Sequence, residues 1–232
     1  MDTREDGVDK TFIDRLFPGE VITGQADPAL VQSDIYPEEE VFIRNAVPKR
    51  RLEFMAGRLC AKQLLARFGI HNFPVLAGKD HEPLWPPGIV GSISHTERYC
   101  GVAIARRADV QSIGLDVERV CRLPRDVCRQ ICTEQELAWV DSLPLDRQQM
   151  GVALVFSAKE CLYKCQHTMS GQWLEFHDVA ISVNPDTKEF SARFATNNSL
   201  GKEPCLGGKY FFHGGCVFTG MTTRNPDKPS PV

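Results

Sequence analysis

Two short segments of this 232-residue chain carry residue types able to do chemistry at close spacing. Gly114-Leu115-Asp116-Val117-Glu118 reads as a strand, and Phe156-Ser157-Ala158-Lys159-Glu160-Cys161-Leu162-Tyr163-Lys164 reads as a helix. Side chains alternate faces along a strand, so Asp116 and Glu118 point one way while Leu115 and Val117 point into the core. Residues four apart share a helical face, which sets Glu160 beside Lys164. Where the two elements meet, three carboxylates and a lysine converge. Clustered carboxylates disfavour one another's ionised form, so they call for a hard cation. Mg²⁺ is the usual one where substrate phosphates complete the shell. Taken singly, each residue is ordinary: Asp116 a strand-end carboxylate, Glu118 a solvent-facing one, Glu160 and Lys164 a surface pair.

The elements that must position them follow from periodicity and turn chemistry. The first 47 residues are acidic and broken by Pro and Gly, with Glu38-Glu39-Glu40 as a solvated helix start. A helix begins after Pro48 and stops at Gly69, with Pro near its start and Gly after its end. Leu52, Met55, Leu59, Cys60 and Leu64 form its expected apolar face, and Lys49, Arg50, Arg51, Arg58 and Lys62 a basic one. A Pro/Gly-rich loop over 74–88 precedes strands at 89–94, 99–106 and 111–118. Thr133-Glu134-Gln135-Glu136 is a capping box, and a longer helix is predicted over 146–165. From Leu174 the pattern is strands, with turns at Asn184-Pro185-Asp186 and His213-Gly214-Gly215. This order predicts an α+β fold of two similar halves, 1–110 and 111–224, with a Pro-rich disordered tail over 225–232.

Composition sets outer bounds. Apolar residues at 42% and charged residues at 25% suit a globular chain with an ordinary core. A net charge of −3 excludes a general nucleic-acid binder, though not local basic patches for small anions. Met1 to Lys10 lacks the apolar stretch of a signal peptide, and no run reaches membrane-spanning length. The expectation is a cytoplasmic protein whose nine cysteines are reduced thiols. Cys128/Cys132 and Cys161/Cys165 have helical spacing, but without a His-x-x-x-His or C-x-x-C partner they read as buried, inert cysteines rather than a zinc site.

A third segment, Gly91-Ser92-Ile93-Ser94-His95, ends a strand at a loop mouth. With Ala56-Gly57-Arg58 before it, Trp85-Pro86, and the two segments above after it, the order resembles the 4′-phosphopantetheinyl transferases over about residues 48–173. It is most similar to the surfactin-type group and its enterobactin-synthase component D branch. The resemblance implies two pseudo-symmetric α+β halves with the active site at their interface. It implies transfer of the phosphopantetheine arm of coenzyme A to a serine of an apo acyl or peptidyl carrier protein, releasing adenosine 3′,5′-bisphosphate. By the same resemblance Asp116, Glu118 and Glu160 would hold Mg²⁺ against the CoA pyrophosphate, and Glu160 would take the serine proton. Lys164 would donate to the leaving phosphate, Ser94 and His95 would meet the 3′-phosphate, and Arg51 and Arg58 would grip the phosphates. Folding is expected to survive loss of any one carboxylate.

One feature departs from the family pattern: Glu82 stands before Pro83 where a basic or small residue is expected, so Lys79 or His81 would substitute as a CoA contact. The branch points to siderophore, non-ribosomal peptide or polyketide carriers. The alternatives are a housekeeping enzyme for the fatty-acid carrier and a non-catalytic carrier-binding module. A single chain with both halves is expected to be a monomer. Carriers of this kind are acidic around their serine, so a basic loop after the first strand, with Arg119, Arg122, Arg125 and Arg129, is the expected docking patch.

Overall fold

A computed structural model describes residues 11–194 and 206–224. The expectations for the first ten residues and for the tail over 225–232 lie outside the described residues. A 3-10 turn, Phe12–Leu16, leads into strand β1, Ile22–Ala26, and the short helix α1, Pro37–Glu40. Helix α2, Pro48–Arg67, starts on its proline. It ends in a Schellman pair, Gly69 N–H to the Ala66 carbonyl and Ile70 N–H to the Leu65 carbonyl, with Gly69 at φ +75°. A two-strand hairpin follows, β2 Leu76–Ala77 with β3 Pro83–Leu84. Then come β4 Ile89–His95, β5 Cys100–Arg106 and β6 Val110–Arg119. Three helices follow, α3 Arg125–Ile131, α4 Glu134–Ser142 and α5 Gln148–Ser170. The last strands are β7 Val179–Asn184, β8 Glu189–Phe194, β9 Leu206–His213 and β10 Cys216–Arg224.

All ladders are antiparallel, in one sheet of order β1-β5-β4 and one of order β6-β10-β9-β8-β7. The α+β class holds, and the two sheets differ in size. Helix α2 covers the smaller sheet through Ala56, Cys60, Ala61 and Leu64, and α5 covers the larger through Leu154, Ala158 and Leu162. The buried face of α2 is therefore not the expected one. Leu52 is exposed, Met55 and Leu59 are half-buried, and Arg58 lies inside. Small residues set that phase: a Cβ on Gly57 would stand 3.0 Å from Ile93 Cγ2, so the helix presses its Ala/Gly side to the sheet.

Further elements were not read from sequence. The first 47 residues contain β1, an edge of the smaller sheet. The expected arginine loop after β6 contains α3. The capping box of α4 forms as predicted, with Glu136 N–H on Thr133 Oγ1 at 3.3 Å and Thr133 N–H on Glu136 Oε2 at 2.6 Å. Among the described residues no helix is long and apolar enough to cross a membrane.

The two sheets join at β4 and β6 through side chains. Ser92 Oγ and Ser94 Oγ each accept a backbone N–H of β6, from Leu115 and Val117, both at 3.1 Å. Alternation along β4 puts both serines on one face, so the Ser-Ile-Ser pattern is a stitch between sheets. β6 is buried from Ser112 to Val117 because the smaller sheet lies on one side and α5 on the other. Close approach of α5 requires Gly114, where a Cβ would stand 2.0 Å from the Cys161 carbonyl oxygen. The obstacle is backbone, which cannot swing aside, so Gly114→Ala should cost at least the ~1–3 kcal/mol typical of overpacking. The check is a thermal melt, with Tm expected to fall by several degrees; an unchanged Tm would show that α5 can lift off β6 freely.

Candidate active site

The site forms where β4, β6 and α5 meet. Asp116 points from β6 at α5 and is only 2% exposed. A buried carboxylate is tolerated only if its oxygens are given donors. Oδ1 accepts from Ser94 Oγ at 3.0 Å and from Lys164 Nζ at 2.6 Å, and Oδ2 accepts from Ser157 Oγ at 2.8 Å. Ser157 is itself braced by Thr219 of β10 at 2.8 Å. Lys164 also donates to Ser94 Oγ at 3.1 Å and the Leu115 carbonyl at 3.3 Å. The expected i,i+4 partner of Lys164 was Glu160; its hydrogen-bonded partner is Asp116. Burial alone would lower the Lys164 pKa, but the charge and hydrogen bond of Asp116, with Glu160 nearby, hold it above the ordinary lysine value.

Glu118 and Glu160 stand half-buried at the same junction. Burial is the main cause that pushes Glu118 up to about 7, Asp116 and Glu160 add to it, and Lys164 opposes. Glu160 is also raised, by burial first and then Asp116, again against Lys164. The one cation is engaged by Asp116, and two carboxylates remain without a full countercharge. Among the described residues no group of three His, Cys, Asp or Glu side chains encloses an ion-sized site. The donor set nonetheless suits Mg²⁺, which takes one or two carboxylates and leaves the rest of its shell to water and phosphate.

His95 ends β4 beside this cluster. Burial, then Arg50 and Lys164, lower its pKa to about 4 against the pull of Asp116, so the ring is neutral. Its hydrogen-bonding neighbour is Arg50. Arg51, the sequence expectation, turns the other way, with Nη1 donating to the Ile43 carbonyl at 2.9 Å. Arg58 is buried, its guanidinium 4.1 Å over the Phe54 ring, and its Nε has no hydrogen-bond partner. Burial lowers its pKa to about 10, and Glu39 resists that fall. Ser94, expected at a phosphate, is instead buried within the Asp116 network.

Lys159 does not face the cluster. It is buried, and its three protons go to Glu136 Oε2 at 2.8 Å, the Ile131 carbonyl at 2.9 Å and the Phe176 carbonyl at 2.6 Å. Glu136 also accepts from Ile181 N–H at 2.6 Å. This pair ties α3, α4 and α5 to the segment after α5 and roots a cleft of about 480 Å³ whose walls include Glu160, Tyr163, Trp173, Leu174 and Phe176. Trp173 is 71% exposed and packs edge-on against Tyr163. Sequence reading missed this cleft, because its aromatics lie across a helix end and an irregular segment. A larger cleft of about 750 Å³ lies elsewhere, between the Leu16–Pro18 segment and the strands β7 to β10, and none of the three carboxylates lines it.

Glu82, the departure in the 78–82 hairpin, turns back on its own loop, where Asp80 N–H meets Oε2 at 3.0 Å and a Cβ on Gly78 would collide with the carboxylate. The hairpin reaches α5 through Asp80 Oδ2, 3.3 Å from His167 Nε2.

The arrangement suits phosphoryl-group transfer: carboxylates beside a lysine, a neutral histidine flanked by arginine, and a mostly apolar cleft with Glu160 in its wall. The family comparisons agree. Residues 38–105 match the model of the 4′-phosphopantetheinyl transferase N-terminal domain, and 112–204 match that of the 4′-phosphopantetheinyl transferase superfamily. The chain is similar to the 4′-phosphopantetheinyl transferase Svp of Streptomyces mobaraensis, 36% identical over 176 residues, covering 75% of this chain and 70% of the relative. It is similar to the 4′-phosphopantetheinyl transferase PptT of Mycobacterium tuberculosis, 35% identical over 69% of this chain and 70% of the relative. It also resembles the enterobactin synthase component D of Salmonella typhi, 33% identical over 82% and 80% of the two chains. The chain belongs to the 4′-phosphopantetheinyl transferase family, and it is a transferase enzyme that modifies carrier proteins.

The raised Glu118 carboxyl gives a pH prediction. Its folded pKa of about 7 exceeds the ordinary 4.5, so the folded state binds the extra proton and loses that contribution as pH rises through this window. Glu118→Gln removes the titration. Without divalent metal, the Tm of Glu118→Gln should gain on the wild type between pH 4.5 and 8. A Tm difference independent of pH would show that folding does not raise the Glu118 pKa.

Proposed function

We propose that this enzyme transfers the 4′-phosphopantetheine arm of coenzyme A to a serine of a carrier protein of the siderophore, non-ribosomal peptide or polyketide kind. The observation that supports this best is the junction of Asp116, Glu118, Glu160 and Lys164, of which Glu160 also lines the cleft toward Trp173. The cleft is apolar enough for the arm, and Glu160 links it to the charged cluster. Glu118 and Glu160, the two carboxylates without a lysine partner, would hold Mg²⁺ with Asp116 behind them, and the ion would supply neutralisation of the pyrophosphate charge. Glu160 is positioned to accept the proton of the serine hydroxyl as its oxygen attacks the phosphorus of the arm, and its raised pKa suits a base. The bond from that phosphorus to the nucleotide-side oxygen breaks, and adenosine 3′,5′-bisphosphate leaves. Lys164 lies at hydrogen-bonding distance of Asp116, where it can stabilise charge on the departing oxygen. His95 with Arg50, at the outer end of β4, supports a reading as the grip on the 3′-phosphate. The 1–110 and 111–224 halves then divide the work, nucleotide phosphates on the first and chemistry on the second.

The direct test is mass spectrometry of a purified apo carrier after incubation with CoA and Mg²⁺. The expected product carries one phosphopantetheinyl group. Glu160→Gln and Glu118→Gln should cut turnover on the order of 10²-fold or more, the size of a lost acid–base or metal function. Undiminished transfer in EDTA would remove the metal, and near-normal kcat in Glu160→Gln would remove the base. A panel of fatty-acid and peptide carriers separates the housekeeping alternative.

The docking patch changes with the structure. Arg125 is held bidentately by Asp141 at 2.7 and 2.5 Å, and Arg119 stands 3.9 Å from Glu97. Arg122 has no ion-pair partner among the described residues, and it borders a groove with Leu123 and the exposed Leu145. An acidic carrier is attracted mainly at encounter, and salt weakens that attraction. Arg122→Glu should therefore raise the carrier KM several-fold at low ionic strength, leave the CoA KM unchanged and flatten the salt dependence. An unaltered carrier KM at low salt would put the docking surface elsewhere.

A further inference from the structure

We infer that Glu53 is a positioning residue: it fixes the His95 ring, which in turn holds the Arg50 guanidinium as the receptor for one phosphate of the nucleotide. The inference rests on the reading above that a CoA phosphate sits at His95. Glu53 lies in the first turns of α2, in a run otherwise basic, yet it is buried. A carboxylate out of water needs positive or donor groups around it. Its Oε2 stands 3.4 Å from His95 Nδ1 and 3.8 Å from Arg50 Nη1. Arg50 and Glu53 are three apart, so one helical face carries both, and β4 ends so that His95 meets that face.

The chemistry of the donors fixes the proton. A guanidinium only donates, and Arg50 Nη1 is hydrogen-bonded to His95 Nε2. Nε2 therefore carries the lone pair, and the ring proton sits on Nδ1, the nitrogen that faces Glu53. Glu53 thus selects the tautomer, holds the ring plane and anchors the arginine. A phosphate arriving at the outer edge of the pair meets the remaining N–H donors of a guanidinium already oriented by the ring, with no further ordering of a mobile side chain. Carboxylates that orient a histidine in this way set affinity without touching the ligand. No second arginine takes this place: Arg51 donates to the Ile43 carbonyl, and Arg58 lies over Phe54.

The test compares CoA with dephospho-CoA, which lacks the 3′-phosphate, in the wild type, Glu53→Ala, Glu53→Gln and His95→Ala. Calorimetry with adenosine 3′,5′-bisphosphate and with adenosine 5′-monophosphate gives a readout apart from turnover. Glu53→Ala should raise the KM for CoA about tenfold, the loss expected for one charge-assisted contact. It should leave kcat and the dephospho-CoA KM within twofold, and weaken the bisphosphate but not the monophosphate. Glu53→Gln, whose amide oxygen still accepts from Nδ1–H, should recover most of the loss, and it separates positioning from misfolding. In a His95→Ala background Glu53→Ala should add much less than it does alone. If His95→Ala discriminates the two nucleotides and Glu53→Ala affects both equally or neither, Glu53 does not position the pair and the inference falls. If His95→Ala itself fails to discriminate, the phosphate is not at His95, and the inference falls with that reading.

Discussion

The structure depends on one buried carboxylate. Asp116 lies inside and is surrounded by groups that donate to it. The donors come from two elements, Ser94 from β4 and Ser157 and Lys164 from α5, and Asp116 itself adds a third, β6. The network that makes the site is thus also the seam between the two sheets. Gly114 permits the close approach of α5 that lets those donors reach, and Ser92 and Ser94 bind β6 by its backbone. The expectation that the chain folds equally well without any one of its carboxylates is therefore unsound for Asp116. Its removal leaves a half-buried lysine and two buried hydroxyls without their acceptor, and a cation stripped of its partner there is costly.

Charge balance divides the acidic residues into two kinds. Asp116 has Lys164, and Glu136 has Lys159, each a close pair. Among the described residues Glu118 and Glu160 have no such partner, and both are pushed up by burial and by neighbouring carboxylates. A fold that satisfies two buried acids and leaves two beside a cleft has placed its unmet negative charge where a divalent cation and a phosphate can meet it. Lys159 shows why the Lys-Glu pair of the helix motif is asymmetric. One residue faces the site, and its neighbour, about 100° round the helix, faces the packing that shapes the cleft wall.

Much of this was legible in the sequence. The strand with Asp116 and Glu118, the helix with Glu160 and Lys164, the capping box at Thr133 and the helix start at Pro48 all follow from local rules, and all are present. What failed to show was set by packing rather than propensity. Much of the buried face of α2 is Ala, Gly and Cys, which carry little weight in an apolar count, so Leu52 and Leu59 misled the phase although Cys60 and Leu64 are buried as expected. That same phase error exchanged Arg51 for Arg50 at His95. α3 hid because its arginines resemble a solvated loop, and the Glu160–Trp173 cleft hid because its walls are joined only in three dimensions.

The phase of α2 has a simple physical cause. A helix with charge on nearly every side can turn only so far before it buries an unpaired group. Here Glu53 and Arg58 both face inward, and each is met: Glu53 by His95 and Arg50, Arg58 by the Phe54 ring and the field of Glu39. Turning the helix to bury Leu52 would expose those partnerships and bring Arg51 inside without one, since its present acceptor is the carbonyl that precedes the helix. The polar contacts, more than the apolar ones, thus select the rotation at which α2 docks, and that rotation carries Arg50 to the end of β4. The chain is net acidic, yet it can offer an anion a local cationic edge because its acids at that edge are turned in and its arginine is turned out.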